Sequence, residues 1–434
     1  MCCCGCRWGR RADRRAAAPR RRLDRVTGRR RVRGERALPA LALAVGLTVA
    51  AGGPAGADDT EDDSTAGSVG AAGVSIEPAP SDTLARLATD RVEAMTLPEK
   101  AASVVMGHVP GTDPGELGTY MEQTGIGGFI LMGANIPADE ASLAQVTAAL
   151  TADPAFPALI AVDQEGGDVS RLPWDSLPAA LTLKNAPAAD TAAAFAARAA
   201  LLQRVGIGVN FGIVADVSPA PGEFIFRRAL GTDPGGAAER VGAAVAGEAG
   251  AALSTIKHFP GHGAAPGDSH ATIPRTDMSK TEWAASDARP FAAGIDAGAQ
   301  FLMFGHLSYT AVDPLPASLS AEWHRIAREE LGFDGIAITD DLGMLQAAGE
   351  PAYLDPVTNA VTALAAGNDM VLTVVSSTAD TAPAVVNGIV AAVASGQLSE
   401  ARLSEAATRV AEARLLLAAE GRGMSPCPSC EPVS

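Results

Sequence analysis

From residue 81 onward the chain alternates short apolar runs with longer Ala-rich stretches. Eight runs have strand length: 103–109, 128–132, 158–162, 208–214, 253–259, 300–304, 335–339 and 369–374. They read as strands buried on both faces, the habit of parallel sheets. The stretches between them, such as 140–150, 191–205 and 237–252, space their apolar residues as a helix does. Ser81 is expected to cap a first helix, and Thr96-Leu97-Pro98-Glu99 is a capping box opening a second. Eight strand–helix repeats over 81–420 predict a single α/β domain of the (β/α)8 barrel type. An open doubly wound sheet shares this rhythm but usually carries a Gly-rich phosphate loop after its first strand. Here Gly107-His108-Val109-Pro110-Gly111 fits neither phosphate-loop pattern, so the closed barrel is expected.

The flanks read differently. The first 36 residues hold 14 Arg against three acidic residues, which leaves −27 on the rest of a chain whose total is −16. Residues 37–51 are apolar and too short for a membrane-spanning helix, and Ala55-Gly56-Ala57 follows as a cleavage site. We expect 1–57 to be a targeting segment and the mature protein to be secreted, or membrane-associated if the segment is kept. The long basic region suggests a true start further in, near Val26, and Thr27-Gly28-Arg29-Arg30 is a weak twin-arginine signal. Residues 58–80 read as an acidic flexible linker and 421–434 as a flexible tail. The six Cys sit only at the ends, and Cys427 and Cys430 suggest a terminal disulfide or an inert tail. An acidic body excludes nucleic acid as a partner, because phosphate contacts need clustered Lys and Arg.

Polar residues close several of the expected strands: Asp163, Asp216, Lys257-His258, His306 and Asp340-Asp341. Barrel enzymes build their sites at those strand ends. The densest segment runs from Lys257 to His270 and holds three of the six His. His258 and His262 have helical zinc spacing, but Pro260-Gly261 between them prevents a helix. Asp268-Ser269-His270 contains triad residue types, yet sequence neighbours project in different directions. A solvated loop would explain His262. It explains less well a Lys-His pair, a Gly/Pro hinge and then Asp-x-His, a pattern suited to swinging Asp268 and His270 over a substrate.

KHFPGHG, four residues, then DSH resembles the signature of family-3 glycoside hydrolases of the β-N-acetylglucosaminidase type. Met95–Lys100, Ala161–Gly167 with Arg171, Arg228–Pro234, Ile338–Met344 and Arg402–Glu405 are similar to other family segments, in family order. The resemblance implies a retaining exo-β-N-acetylglucosaminidase acting on peptidoglycan fragments or chitooligosaccharides. It implies Asp340 as nucleophile, His270 as general acid/base and Asp268 as its orienting partner. Asp163 would accept from sugar hydroxyls, and Arg171, Arg228, Lys257 and His258 would donate to hydroxyls or the N-acetyl oxygen. His306 is either a residue of the pocket or a satisfied core His, Arg228 could instead pair with Asp233, and Asp341 fits structural hydrogen bonding. No metal or other cofactor is implied, and a monomer is expected.

Two departures stand out. Asp168 occupies a position where the family usually has Arg, and Phe224-Ile225-Phe226-Arg227 replaces polar residues. Fine specificity is therefore open. A β-glucosidase or a phosphorylase on the same barrel remains an alternative, as does a non-catalytic sugar-binding protein. No second sandwich domain is expected after the last barrel helix.

Overall fold

Eight parallel strands close into a barrel in the computed structural model, which describes residues 80–422. The strands are β1 (Val105–Gly107), β2 (Gly128–Leu131), β3 (Leu159–Val162), β4 (Val209–Val214), β5 (Leu253–Phe259), β6 (Phe301–Phe304), β7 (Ile336–Asp341) and β8 (Met370–Leu372). They neighbour one another in chain order, and β8 closes on β1 through Val105↔Val371 and Met106↔Leu372. Seven of the eight expected apolar runs contain one of these strands whole, and the eighth, 335–339, is overrun by β7, which continues to Asp341. Several are trimmed at their starts; Ser103, for instance, ends the helix Leu97–Ser103. The expected segments 1–57, most of 58–80 and Cys427/Cys430 lie outside the described residues.

Helices fill the connections, among them α1 (Pro80–Glu93), α2 (Pro114–Thr124), α3 (Glu140–Ala149), α4 (Ala188–Arg204), α5 (Pro234–Glu248), α6 (Pro356–Ala366) and α7 (Glu400–Ala419). The capping box at the Leu97–Ser103 helix forms: the Thr96 N–H and hydroxyl both donate to the Glu99 carboxylate at 2.7 Å. Ser81 does not cap α1, which already begins at Pro80, a residue suited to a first helical position. Part of the acidic composition is explained locally. Asp113, Asp139, Asp233 and Asp355 each accept backbone N–H groups at a helix start. Among the described residues no helix is long and apolar enough to cross a membrane.

Ile130, Ala161, Phe211, Phe301, Ile338 and Met370 fill the barrel interior, where Val410 and Leu417 of α7 join them. The opposite strand faces pack on the helices, as Ile160, Val162, Leu302 and Phe304 do. Strict alternation fails at three strands. Pairing shifts register between Asn210 and Ile213, between Ile256 and Phe259, and between Ile338 and Asp341. A bulge reverses the side-chain alternation beyond it. In β5, Ile256 and Phe259 both pack outward, so Lys257 and His258 both face the pocket at the barrel mouth. The shift in β7 likewise brings Asp340 and Asp341 to the wall of that pocket.

Candidate active site

The pocket at the strand C-terminal ends is lined by Asp163, Arg171, Arg228, Lys257, His258, His270 and Asp340, with Met132, Met303, Met344 and Val375 as apolar walls. Seven of the nine residues expected at the site thus share one cavity. Asp268 is bonded to His270 beside it, and His306 lies behind it. Among the described residues, no group of three or more His, Cys, Asp or Glu is arranged to hold a metal ion.

One end of the pocket is an alternating charge network. Lys257 Nζ is 2.8 Å from Asp163 Oδ1 and 2.8 Å from Glu165 Oε1. Arg171 Nη2 reaches Asp163 Oδ2 at 3.2 Å. Arg228 binds Glu165 by Nε–Oε2 at 2.9 Å and Nη2–Oε1 at 2.7 Å. Burial alone would raise the Asp163 carboxyl, but the Lys257 ammonium and the Arg171 guanidinium overcome it and hold the group at about 2. Glu165 is also lowered: burial opposes ionisation, and Lys257 and Arg228 win. Lys257 is raised, its burial outweighed by Asp163 and Glu165.

Arg228 therefore pairs with Glu165 and not with Asp233, whose carboxylate caps α5 through the N–H groups of Gly235 and Gly236. Near neighbours in sequence lose here to a partner 63 residues away. Asp168, the charge reversal noted in the sequence, is answered on the surface by Arg227, with contacts of 2.5 and 2.9 Å.

His258 departs from its expected role as a donor to substrate. Its Nδ1 lies 2.8 Å from Asp216 Oδ2, and its Nε2 is 3.3 Å from Arg228 Nη2. A guanidinium only donates, so Nε2 accepts and the imidazole is neutral with its proton on Nδ1. Burial and the neighbouring Arg228 push its pKa well below the usual value, in agreement with a neutral ring. The ring brackets Arg228.

His306 also differs from a substrate-binding residue. It is buried, with Nδ1 2.7 Å from Ser318 Oγ and Nε2 2.8 Å from the carbonyl of Asp341. The carbonyl accepts, so Nε2 donates and Nδ1 accepts from the serine. His306 thus braces the backbone immediately after Asp340.

Asp340 is the penultimate residue of β7, with Oδ1 accepting the N–H of Asp341 at 2.8 Å. Burial opposes its ionisation, but that N–H and the Lys257 ammonium favour it, and its pKa lies below the ordinary value. An ionised carboxylate at the pocket wall can act as a nucleophile. Asp341 beside it is structural: Oδ1 accepts from Gly343 and Val374, and Oδ2 from Val375. Burial raises its pKa to about 6 against those three donors.

The loop after β5 carries the second chemical group. Its root is pinned from below, with Trp283 Nε1 donating to the Pro260 carbonyl at 2.8 Å and the Tyr309 hydroxyl to that of Gly261 at 2.6 Å. Gly261 adopts φ +134°, and a Cβ on Gly263 would sit 1.7 Å from the Val217 carbonyl oxygen. That conformation and that close approach are why the segment reads GHG. His262 is buried: its N–H donates to Asp216 Oδ1 at 2.6 Å, and its Nε2 is hydrogen-bonded to Ser269 Oγ at 3.1 Å. Beyond this anchor the loop is open. The side chains of Asp268 and His270 are 49% and 58% exposed, and they pair through Oδ1 and Nδ1 at 2.7 Å. With Nδ1 held by Asp268, Nε2 is the nitrogen that can exchange a proton with a ligand.

Glu165 stands inside the 161–167 segment with no role expected of it, and Asp216 is expected only as a strand-end residue. Their pairing with Arg228 and His258 has no signal in the sequence.

Residues 96–413 match the family described as the glycosyl hydrolase family 3 N-terminal domain. A β-hexosaminidase of Pseudomonas aeruginosa is 40% identical over 256 residues, covering 56% of this chain and 74% of that protein. A family-3 β-N-acetylglucosaminidase structure from Paenibacillus superposes with a TM-score of 0.69 at 30% identity, covering 75% of this chain and 63% of that one. The chain thus spans less than two thirds of that relative's length. A β-N-acetylhexosaminidase structure from Beutenbergia cavernae gives a TM-score of 0.64 at 30% identity, with 75% of this chain and 99% of that one covered.

Proposed function

The chain belongs to glycosyl hydrolase family 3, and on that premise we propose that it is a retaining exo-β-N-acetylglucosaminidase. Its substrates in this reading are peptidoglycan fragments or chitooligosaccharides ending in β-linked GlcNAc. The observation that carries the reading is that the Asp340 carboxylate and the Asp268–His270 pair open onto one pocket from different strands. In the first step Asp340 attacks the anomeric carbon while His270 Nε2–H protonates the departing glycosidic oxygen. In the second, His270 takes a proton from water, the water attacks the same carbon, and Asp340 leaves.

The charge balance of the pocket favours a neutral sugar. Three cations (Arg171, Arg228 and Lys257) stand with three carboxylates: Asp163 and Glu165, paired with them, and Asp340 across the pocket wall. Each carboxylate oxygen of Asp163 retains lone-pair capacity for a hydroxyl beside its cationic partner. The names of the relatives support the amino sugar: the two solved structures are a β-N-acetylglucosaminidase and a β-N-acetylhexosaminidase, and the Pseudomonas protein is a β-hexosaminidase. The basic, apolar and small-residue order of the first 57 residues supports action outside the cytoplasm.

The test is turnover of p-nitrophenyl β-N-acetylglucosaminide against the β-glucoside, each with and without inorganic phosphate. Preference for the N-acetylated substrate with no effect of phosphate is expected. Equal or better turnover of the glucoside, or a glycosyl phosphate product, would overturn the reading.

A further inference from the structure

We propose that Phe224 is a positioning residue: an aromatic seat that holds the His270 loop in register with the pocket. The inference rests on His270 being the acid/base. It addresses a problem the site leaves open, since His270 sits on an exposed loop although a proton donor must stay within hydrogen-bond reach of the departing oxygen.

The Phe224 ring touches both ends of that loop. Its centroid is 5.1 Å from the His262 ring, tilted by 36°, and 5.8 Å from the His270 ring, edge-to-face at 69°. His262 in turn is hydrogen-bonded to Ser269, the residue before His270. One ring therefore meets the anchor of the loop and the imidazole at its working end. Both separations fall in the range of favourable aromatic pairs, and the His270 pair has the preferred edge-to-face geometry.

The seat itself is rigid. Phe224 lies inside a turn closed by Phe226 N–H to the Glu223 carbonyl, and Ala229 N–H to the Ile225 carbonyl closes the next one. Ile225 is buried against Val214 and Ala229. Three residues further on, Arg228 is fixed by Glu165. Glu223 is held by the Ser218 hydroxyl at 2.5 Å. Phe224 is thus bolted on both sides to the barrel mouth, while its ring stays 38% exposed. Between the turn and the loop lies a hollow lined by Glu223, Phe224, His262 and Gly267. The Phe224 ring contacts span this hollow. A polar residue at this position would leave the imidazole itself to its hydrogen bond with Asp268, a partner on the same exposed loop.

The experiment compares kcat/KM on two substrates that differ in their need for protonation: 2,4-dinitrophenyl β-N-acetylglucosaminide, whose leaving group departs unaided, and chitobiose, whose leaving group does not. His270→Ala should lose activity on chitobiose far more than on the dinitrophenyl sugar. Equal losses there would sink the acid reading itself and with it this inference. Granted that split, Phe224→Ala is expected to lower kcat/KM on chitobiose about tenfold, a fraction of the full general-acid contribution, and to leave the dinitrophenyl sugar within about twofold. Phe224→Tyr should restore the rate on chitobiose, and Phe224→Ala should add nothing in the His270→Ala background. If the alanine variant does not fold, Phe224→Leu keeps the apolar bulk without the ring and should show the same split. Equal loss on both substrates, a full Phe224→Ala effect without His270, or a loss confined to KM for chitobiose would each overturn the proposal. The last would mark Phe224 as a direct contact for the leaving sugar.

Discussion

The Arg228 guanidinium grips the Glu165 carboxylate through two parallel hydrogen bonds of 2.9 and 2.7 Å, and Lys257 shares the same carboxylate at 2.8 Å. Glu165 thus neutralises two buried cations at once, without itself being a reacting group. Glu165→Ala would leave both with reduced compensation. The expected cost is on the order of 3 kcal/mol of unfolding free energy, the usual consequence of breaking a buried ion pair from one side. Urea denaturation at neutral pH measures it, and a loss within error would show that the network is solvated and contributes little.

His306 supports the nucleophile through backbone. Its Nε2–H donates to the Asp341 carbonyl, one residue beyond Asp340. His306→Ala should therefore lower kcat with little change in KM, because the pocket walls that touch substrate stay in place. The variant also strands the buried Ser318 hydroxyl and the Asp341 carbonyl, at about 1–3 kcal/mol for each buried group left unpaired. Steady-state kinetics together with thermal denaturation separate the two effects. A rise in KM at constant kcat would instead mark a substrate contact.

Below the pocket, Glu248 is fully buried, and its Oε1 accepts from Asn210 Nδ2 at 2.5 Å. Burial raises its pKa to about 7, against the help of that hydrogen bond. The folded state therefore holds this proton to higher pH than the unfolded chain, whose Glu titrates near 4.3. The associated stability is complete below that value and is lost as pH rises through about 7. Glu248→Gln removes the need to ionise. It should raise the stability relative to the parent at pH 8 by on the order of 1–3 kcal/mol, with no gain at pH 4.5. Denaturation midpoints of both proteins across that range test this, and a pH-independent difference would contradict it.

The barrel was legible because its strands are apolar on both faces and therefore stand out as continuous runs. The Leu253–Phe259 strand appears in the sequence with its observed bounds. What the runs could not show is where alternation breaks. Lys257 and His258 are adjacent, and in a regular strand one of them would face the helices; only the shift between Ile256 and Phe259 turns both inward. The motifs brought Asp340, Asp268 and His270 into view because chemistry concentrates unusual residue types at strand ends and in one loop. Long-range pairing stayed hidden for a different reason. Asp233 before Pro234 carries the local signature of a helix cap, but nothing local points to Glu165 as the partner of Arg228, and nothing near His306 reveals that both its nitrogens are already engaged.

The central claim is that Asp340 becomes covalently bonded to the sugar. The direct measurement is peptide mass spectrometry of enzyme quenched in acid during turnover of the dinitrophenyl sugar, using His270→Ala to slow release of the intermediate. The account predicts a single N-acetylhexosaminyl adduct on the peptide containing Asp340, absent from Asp340→Ala, with product released as the β-anomer. An adduct on another residue, or release of the α-anomer with no adduct, would contradict it.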